Sequence, residues 1–164
     1  MNLLEAFKDI DTFIFDVDGV LTDSNFLITE TGELLRTMNV RDGYAMKRAL
    51  DEGYRICIIT GGNSKGVTIR LKALGIEEVH SGIKNKISTY NQIVERLELE
   101  EGGILYMGDD LPDYEVMRRV GLPACPVDAV EEIREIANYI SPFKGGMGCV
   151  RDVIEKVLRL QGKW

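Results

Sequence analysis

The chain has 164 residues, 45% of them hydrophobic and 29% charged, with a formal net charge of −7 and a pI near 4.8. That length suits one domain with a full core, in a composition ordinary for a globular protein. The acidic balance argues against nucleic acid or an anionic membrane surface as the main partner. No apolar run approaches the roughly 20 residues of a membrane span, and the opening MNLLEAFKDI is too short and too acidic for a signal peptide. Cys57, Cys125 and Cys149 are odd in number and lack metal-ligand spacing. Cys57 sits inside an apolar run and reads as a buried free thiol, so a reducing cytoplasm is expected.

In chain order, Thr12 to Phe15 is an apolar, β-branched and aromatic strand that stops at Asp16-Val17-Asp18-Gly19. Phe26 to Thr29 and Leu34 to Met38, around Gly32, predict a β-hairpin. Arg41-Asp42-Gly43 opens a helix that runs to about Glu52 and is closed by Gly53. Tyr54 to Thr60 is a buried strand, followed by a turn at Gly61-Gly62-Asn63-Ser64. A helix with Val67, Leu71 and Leu74 on one face ends at Gly75. Ile76 to Ser81 is a short strand and Lys84 to Leu99 a helix. Gly103 to Met107 is the next strand, and Pro112 to Val120 the next helix. Leu122 to Val127 is strand-like, Ala129 to Asn138 helical, and Tyr139-Ile140 a last strand before a glycine-rich loop at 145–148 and a closing helix. Such alternation with short loops predicts an α/β fold, a three-layer doubly wound parallel sheet with helices on both faces.

Ligands of such sheets bind at the carboxyl ends of the strands. The first strand ends in Asp16 and Asp18, which an extended chain puts on one face. The second ends in Thr60-Gly61-Gly62, the third is followed by Lys84 and Lys86, and the fourth ends in Gly108-Asp109-Asp110, with Asp113 close behind. Each piece alone is also ordinary turn or helix-start chemistry, although Lys86 falls in a first helical turn, where the macrodipole disfavours a cation. Together they collect up to five carboxylates, a hydroxyl and one or two amines at one rim. Carboxylates so gathered repel unless a cation lies between them. The set suits phosphoryl transfer: a hard divalent ion, Mg²⁺ by preference, on oxygen ligands, a carboxylate nucleophile, and hydroxyl, amine and backbone N–H donors on the transferring oxygens.

Asp16-Val17-Asp18-Gly19-Val20-Leu21-Thr22-Asp23, Ile58-Ile59-Thr60-Gly61, Lys86 and Gly108-Asp109-Asp110-Leu111-Pro112-Asp113 resemble the four motifs of the haloacid dehalogenase superfamily of phosphatases. Asn39-Val40-Arg41-Asp42-Gly43, Gly82 with Asn85-Lys86, and Gly145-Gly146-Met147-Gly148-Cys149-Val150-Arg151 are similar to the 3-deoxy-D-manno-octulosonate 8-phosphate phosphatases within it. The resemblance covers nearly the whole chain. It implies a Rossmann-like phosphatase domain over residues 1–164 with a hairpin insertion at about 24–40. Asp16 would be nucleophile and Mg²⁺ ligand. Asp18 would be the general acid and base, with its main-chain carbonyl on the metal. Thr60 and Lys86 would hold the phosphoryl group, and Asp109 would complete the metal site, with Asp110 and Asp113 in support. Asn39, Val40, Arg41, Asp42, Gly43, Lys47, Gly61 and Arg70, with Asp18 and Lys86, fall where the family contacts its substrate, a phosphorylated sugar acid of lipopolysaccharide synthesis. Members of this family can carry Arg directly after the Thr-Gly pair. Gly62 stands there instead, with Lys65 as the substitute considered, and a nine-carbon keto sugar acid is the alternative substrate.

The lengths leave no room for a cap domain: the stretch from Asp18 to Gly43 holds the hairpin, and that from Thr60 to Lys86 one helix and one strand. A hairpin with Phe26, Ile28, Leu34, Leu35 and Met38 is marginal alone, and its apolar edge invites pairing. An oligomer in which neighbouring subunits complete the pocket is therefore expected, and the resemblance implies a homotetramer, with the stretch from Gly145 to Arg151 reaching a neighbour's site. A non-enzymatic phospho-receiver domain also gathers carboxylates, Thr and Lys on such a sheet. It expects an acidic pair before the phosphorylated Asp, whereas here Asp16 comes first and Asp109-Asp110 late.

Overall fold

A computed structural model describes residues 2–164. Helix α1 (Leu3–Lys8) precedes β1 (Thr12–Phe15), and a kinked turn over Val17–Leu21 follows. The hairpin strands β2 (Leu27–Ile28) and β3 (Leu34–Leu35) lead to α2 (Val40–Asp51) and β4 (Arg55–Ile59). Next come α3 (Lys65–Ala73), β5 (Glu78–His80), α4 (Lys86–Arg96) and β6 (Ile104–Met107). A 3₁₀ turn (Leu111–Asp113) runs into α5 (Tyr114–Met117), followed by β7 (Leu122–Cys125), α6 (Glu131–Ile136), β8 (Tyr139–Ile140) and α7 (Cys149–Leu160).

The main sheet has six strands in the order β5-β4-β1-β6-β7-β8, and every pairing in it is parallel. Side chains alternate between its faces. Phe13, Phe15, Ile56, Ile58, Leu105 and Met107 join the core under α1, α2, α3 and α7. Ile14, Cys57, Ile59, Ile104 and Tyr106 join the one under α4, α5 and α6. Burial on both faces explains why these strands read as unbroken apolar runs. The expected doubly wound sheet is therefore present. Three details differ. Helix α1 has too few residues for a periodic signal; it forms because Asn2 accepts a hydrogen bond from Leu4 N and because Ala6 and Phe7 are buried. The helix expected from Pro112 to Val120 is split and short, because the Asp110 and Asp113 side chains box the chain entry as a 3₁₀ turn. The hairpin strands are only two residues each, in the register Leu27↔Leu35 and Ile28↔Leu34. Gly32 supplies the positive φ of +85° that the hairpin turn requires.

β4 and β5 extend the sheet to one side of β1, and β6, β7 and β8 to the other. The connection order reverses between β1 and β6, which opens a crevice beyond their carboxyl ends. Phe15 is paired with Met107 there, and Asp16 N donates to Met107 O at 3.2 Å. Asp16 and Asp109 thus emerge side by side.

Candidate active site

Asp16 caps the turn after β1: its Oδ1 accepts from Val17 N at 2.7 Å. The backbone stays extended at Asp18 and then reverses at Gly19, whose φ is +92°. A Cβ on Gly19 would lie 1.8 Å from Asp109 Oδ2, so the glycine also makes the approach of the β6 carboxylate possible. Thr60, buried at the end of β4, accepts from Gly62 N at 3.2 Å through its hydroxyl.

Lys86 is the first residue of α4, with Asn85 as the cap. Its ammonium lies 3.0 Å from Asp16 Oδ1 and 2.8 Å from Asp113 Oδ1. Burial works against its charge, but the two carboxylates outweigh burial and raise its pKa. Asp113 is fully buried and serves as the hub of the group. It accepts from the Tyr106 hydroxyl at 2.5 Å, from Asp109 N at 3.1 Å and from Asp110 N at 3.4 Å. Gly108 is required here, since its Cβ would fall 2.4 Å from Asp113 Cγ. Neither the central position of Asp113 nor the part of Tyr106 was evident in the sequence. A tyrosine in an otherwise aliphatic strand end, Ile104-Leu105-Tyr106-Met107, was the available signal.

Asp16, Asp109 and Asp113 each offer an oxygen within 4.8 Å of the others. Burial first, and then the repulsion of Asp113, raise the pKa of Asp16 well above the carboxylate range, and Lys86 opposes this. Burial and the neighbouring carboxylates push Asp109 to about 7. Asp109 Oδ1 is buried and has no hydrogen-bond partner. One ammonium against three carboxylates, with a buried orphan oxygen aimed among them, is a donor set suited to a hard divalent cation. Asp110 instead caps Leu111 N at 2.8 Å.

These residues line an open cleft of about 290 Å³, which Asp18, Thr60, Gly61, Lys84 and Lys86 share with the acidic group. The Asp18 carboxylate is not part of that close group and is held by Arg36, at 2.7 and 3.2 Å. The sequence offers Lys65 as the substitute for an Arg at 62, but in the structure it is Arg36 that stands against Gly62.

The remaining candidates lie elsewhere. Asn39 caps α2 by accepting from Arg41 N and Asp42 N. Val40 is exposed, and Asp42 is buried, with its Oδ1 accepting from Arg151 N at 2.9 Å. Gly43 leaves room for the Arg70 guanidinium, which a Cβ would approach to 2.7 Å. Lys47 pairs with Asp51 at 2.7 Å on the exposed face of α2 and does not line the cleft. Asn39 and Arg41 flank a larger hollow of about 510 Å³ beside α7. It has no acidic cluster, and three of its four cations, Arg151, Arg159 and Lys156, are already paired with Glu155 and Asp152, so the smaller cleft is the chemical one.

No protein-family model matches the chain. The 3-deoxy-D-manno-octulosonate 8-phosphate phosphatase KdsC of Escherichia coli K12 is 38% identical over 162 residues, which cover 99% of this chain and 86% of that protein. The crystal structure of the Yersinia pestis 3-deoxy-D-manno-octulosonate 8-phosphate phosphatase superposes with a TM-score of 0.95 at 34% identity, covering 98% of this chain and 87% of that one. The Moraxella catarrhalis phosphatase, solved with magnesium ion, phosphate ion and KDO, gives 0.93 at 32% identity, covering 97% and 91%. With its parallel sheet, its acidic cluster at the β1–β6 crevice and relatives that match along nearly their whole length, the chain belongs to the 3-deoxy-D-manno-octulosonate 8-phosphate phosphatases, phosphoric monoester hydrolases of the haloacid dehalogenase superfamily.

Proposed function

We propose that the protein is a Mg²⁺-dependent phosphatase of a phosphorylated 2-keto-3-deoxy sugar acid, with 3-deoxy-D-manno-octulosonate 8-phosphate as the first candidate. The observation that carries this reading is the group of buried Asp16, Lys86 and Asp113 with half-buried Asp109 at an open cleft. Asp16 attacks phosphorus; a bond forms from its carboxylate oxygen to phosphorus as the ester oxygen–phosphorus bond breaks. Asp18 gives a proton to the departing sugar hydroxyl. It then takes one from the water that attacks the aspartyl phosphate, which releases inorganic phosphate and restores Asp16. Lys86 and the Thr60 hydroxyl balance charge on the phosphoryl oxygens. Asp113 and Tyr106 keep the lysine aimed at Asp16. Asp16, Asp109 and the main chain of Asp18 would hold the Mg²⁺, which when bound neutralises charge on the nucleophile and the phosphoryl group. Among the described residues no helix is long and apolar enough to cross a membrane. All three thiols are free and buried, which supports a reducing, cytoplasmic setting. The apolar hairpin supports a homo-oligomer, a tetramer by family likeness.

The test is release of inorganic phosphate from phosphorylated 2-keto-3-deoxy sugar acids of eight and nine carbons, with Mg²⁺ and with EDTA. The expected result is Mg²⁺-dependent multiple turnover with the eight-carbon ester preferred. Preference for the nine-carbon ester would select the alternative substrate. No turnover of any phosphomonoester, a neutral aryl phosphate included, is what a receiver domain would give.

A further inference from the structure

Behind the cleft wall, on Asp18 and against Gly62, lies a cation that the chemistry above does not use. Arg36 follows β3 and turns inward from the hairpin, and its side chain is only 6% exposed. Its Nε and Nη2 donate to Asp18 Oδ1 and Oδ2 at 2.7 and 3.2 Å, and Nη1 donates to Leu34 O at 3.3 Å. The Phe26 ring lies 4.5 Å from the guanidinium carbon. The guanidinium thus occupies the space that Gly62 leaves: a Cβ at 62 would lie 2.9 Å from Arg36 Nη2 and 3.0 Å from Asp18 Oδ2. Arg36 also forms part of a groove of about 720 Å³ between hairpin and α3, where Lys65 and Arg70 add positive charge.

The pairing has a consequence for Asp18. A carboxylate committed to both prongs of a guanidinium is not free to reach a leaving oxygen. Breaking a partly buried ion pair leaves an uncompensated charge unless a new partner replaces the old one. The replacement that fits the planar two-pronged donor is another carboxylate, which exchanges with Asp18 at little net loss of hydrogen bonding. We propose that Arg36 is the specificity-determining cation of this site. It passes from Asp18 to the carboxylate of the sugar-acid substrate, and that exchange frees Asp18 for proton transfer. The proposal rests on the phosphatase reading above and deepens it. A phosphomonoester with no second acid leaves Arg36 on Asp18 and is a poor substrate for that reason.

The experiment compares kcat/KM for a phosphorylated 2-keto-3-deoxy sugar acid with that for a neutral aryl phosphate, both at saturating Mg²⁺. The proteins are wild type, Arg36→Ala, Arg36→Lys and the double variant Arg36→Ala/Gly62→Arg. In Arg36→Ala the ratio of acid to neutral substrate falls about tenfold to a hundredfold, through a higher KM for the acid, which loses a two-pronged charged contact, and a higher kcat for the neutral phosphate, for which Asp18 is no longer held. Arg36→Lys keeps the charge without the fork and falls between. The double variant regains selectivity, because the vacated space takes a guanidinium from the other side. Arg36→Gln, which keeps the bulk but not the charge, gives the same fall in ratio and serves if circular dichroism shows the alanine variant unfolded. A ratio unchanged in Arg36→Ala or Arg36→Gln, whether both activities drop together or neither does, makes Arg36 a hairpin anchor and overturns the proposal. A wild-type enzyme that releases no phosphate from any such sugar acid refutes instead the substrate reading of the preceding section.

Discussion

Lys86 carries its charge at the first residue of a helix, the end where the macrodipole opposes it. Asp16 and Asp113, at 3.0 and 2.8 Å, are what hold it there. The same lysine is the only cation paired with Asp16 among the described residues, so an ionised nucleophile depends on Lys86 and on a metal. Asp16→Asn keeps the hydrogen bond from Val17 N and removes the attacking oxygen. Turnover should fall at least about a thousandfold with the circular dichroism spectrum unchanged, and appreciable phosphate release by that variant would reject covalent catalysis. Asp42 gives a separate prediction, about stability. Its carboxyl is buried between α2 and the start of α7, Oδ2 has no partner, and burial pushes its pKa to about 6 in spite of the hydrogen bond from Arg151 N. A carboxyl raised in the folded state contributes stability below its unfolded value of about 4 and loses it as pH rises through the folded one. Wild type should therefore lose on the order of 2–3 kcal/mol relative to Asp42→Asn between about pH 4 and pH 7. Denaturant melts of both proteins across that range check it; parallel stability curves would count against the raised pKa. The family resemblance implies Asp42 among the substrate contacts, and in this chain its Oδ1 accepts from Arg151 N of α7. Whether a motif aspartate faces a cleft or a neighbouring helix is a tertiary property that spacing does not encode.

At the scale of elements, the strands were legible because burial on both faces removes the alternation that would otherwise have to be phased. Their termini were legible because carboxylates, glycines and a threonine interrupt those runs abruptly. What the chain did not reveal locally is how the glycine-rich loop at 145–148 braces the catalytic turn. Gly146 N donates to Val20 O at 2.9 Å, and the Cys149 thiol donates to the same carbonyl at 3.2 Å. Gly145 rests so closely on the turn that a Cβ would be 2.0 Å from Gly19 O. That contact joins residues more than a hundred positions apart, so only the folded chain shows why the loop needs glycine. Because the opposing atom is backbone, Gly145→Ala has no side chain to push aside and must displace the loop or the turn. It should cost about 1–3 kcal/mol, seen as a lower melting temperature by roughly 2–4 °C per kcal/mol. It should also lower kcat, since Asp18 and Gly19 belong to the displaced turn. A melting temperature and kcat equal to wild type would show that the brace is slack.

At the scale of the whole molecule, the hairpin is the element that a single copy leaves unfinished. Leu27 and Leu35 form one cross-strand pair and Ile28 and Leu34 the next, so the two pairs face opposite ways. All four side chains are exposed, Leu27 by 69% and Ile28 by 65%, with Phe26 at 42% beside them. Folding the hairpin onto its own sheet would have covered one face, and neither is covered. A two-stranded hairpin with apolar residues on both faces does not hold alone in water; within the chain, Met38 at its exit packs against the core. The homo-oligomer proposed above would meet the remaining need and would bring a neighbour to the rim of the open cleft. The predicted outcome is an oligomer in sedimentation analysis of the wild-type protein. Leu27→Ser/Leu35→Ser should shift it toward monomer, and so should Ile28→Ser/Leu34→Ser where that face is the one in contact. Dissociation should raise KM for the sugar acid more than for a small aryl phosphate, because only the longer substrate reaches the hairpin side of the cleft. A wild-type monomer with full activity on the sugar acid would mean that the exposed hairpin serves another purpose and that one chain encloses its substrate unaided.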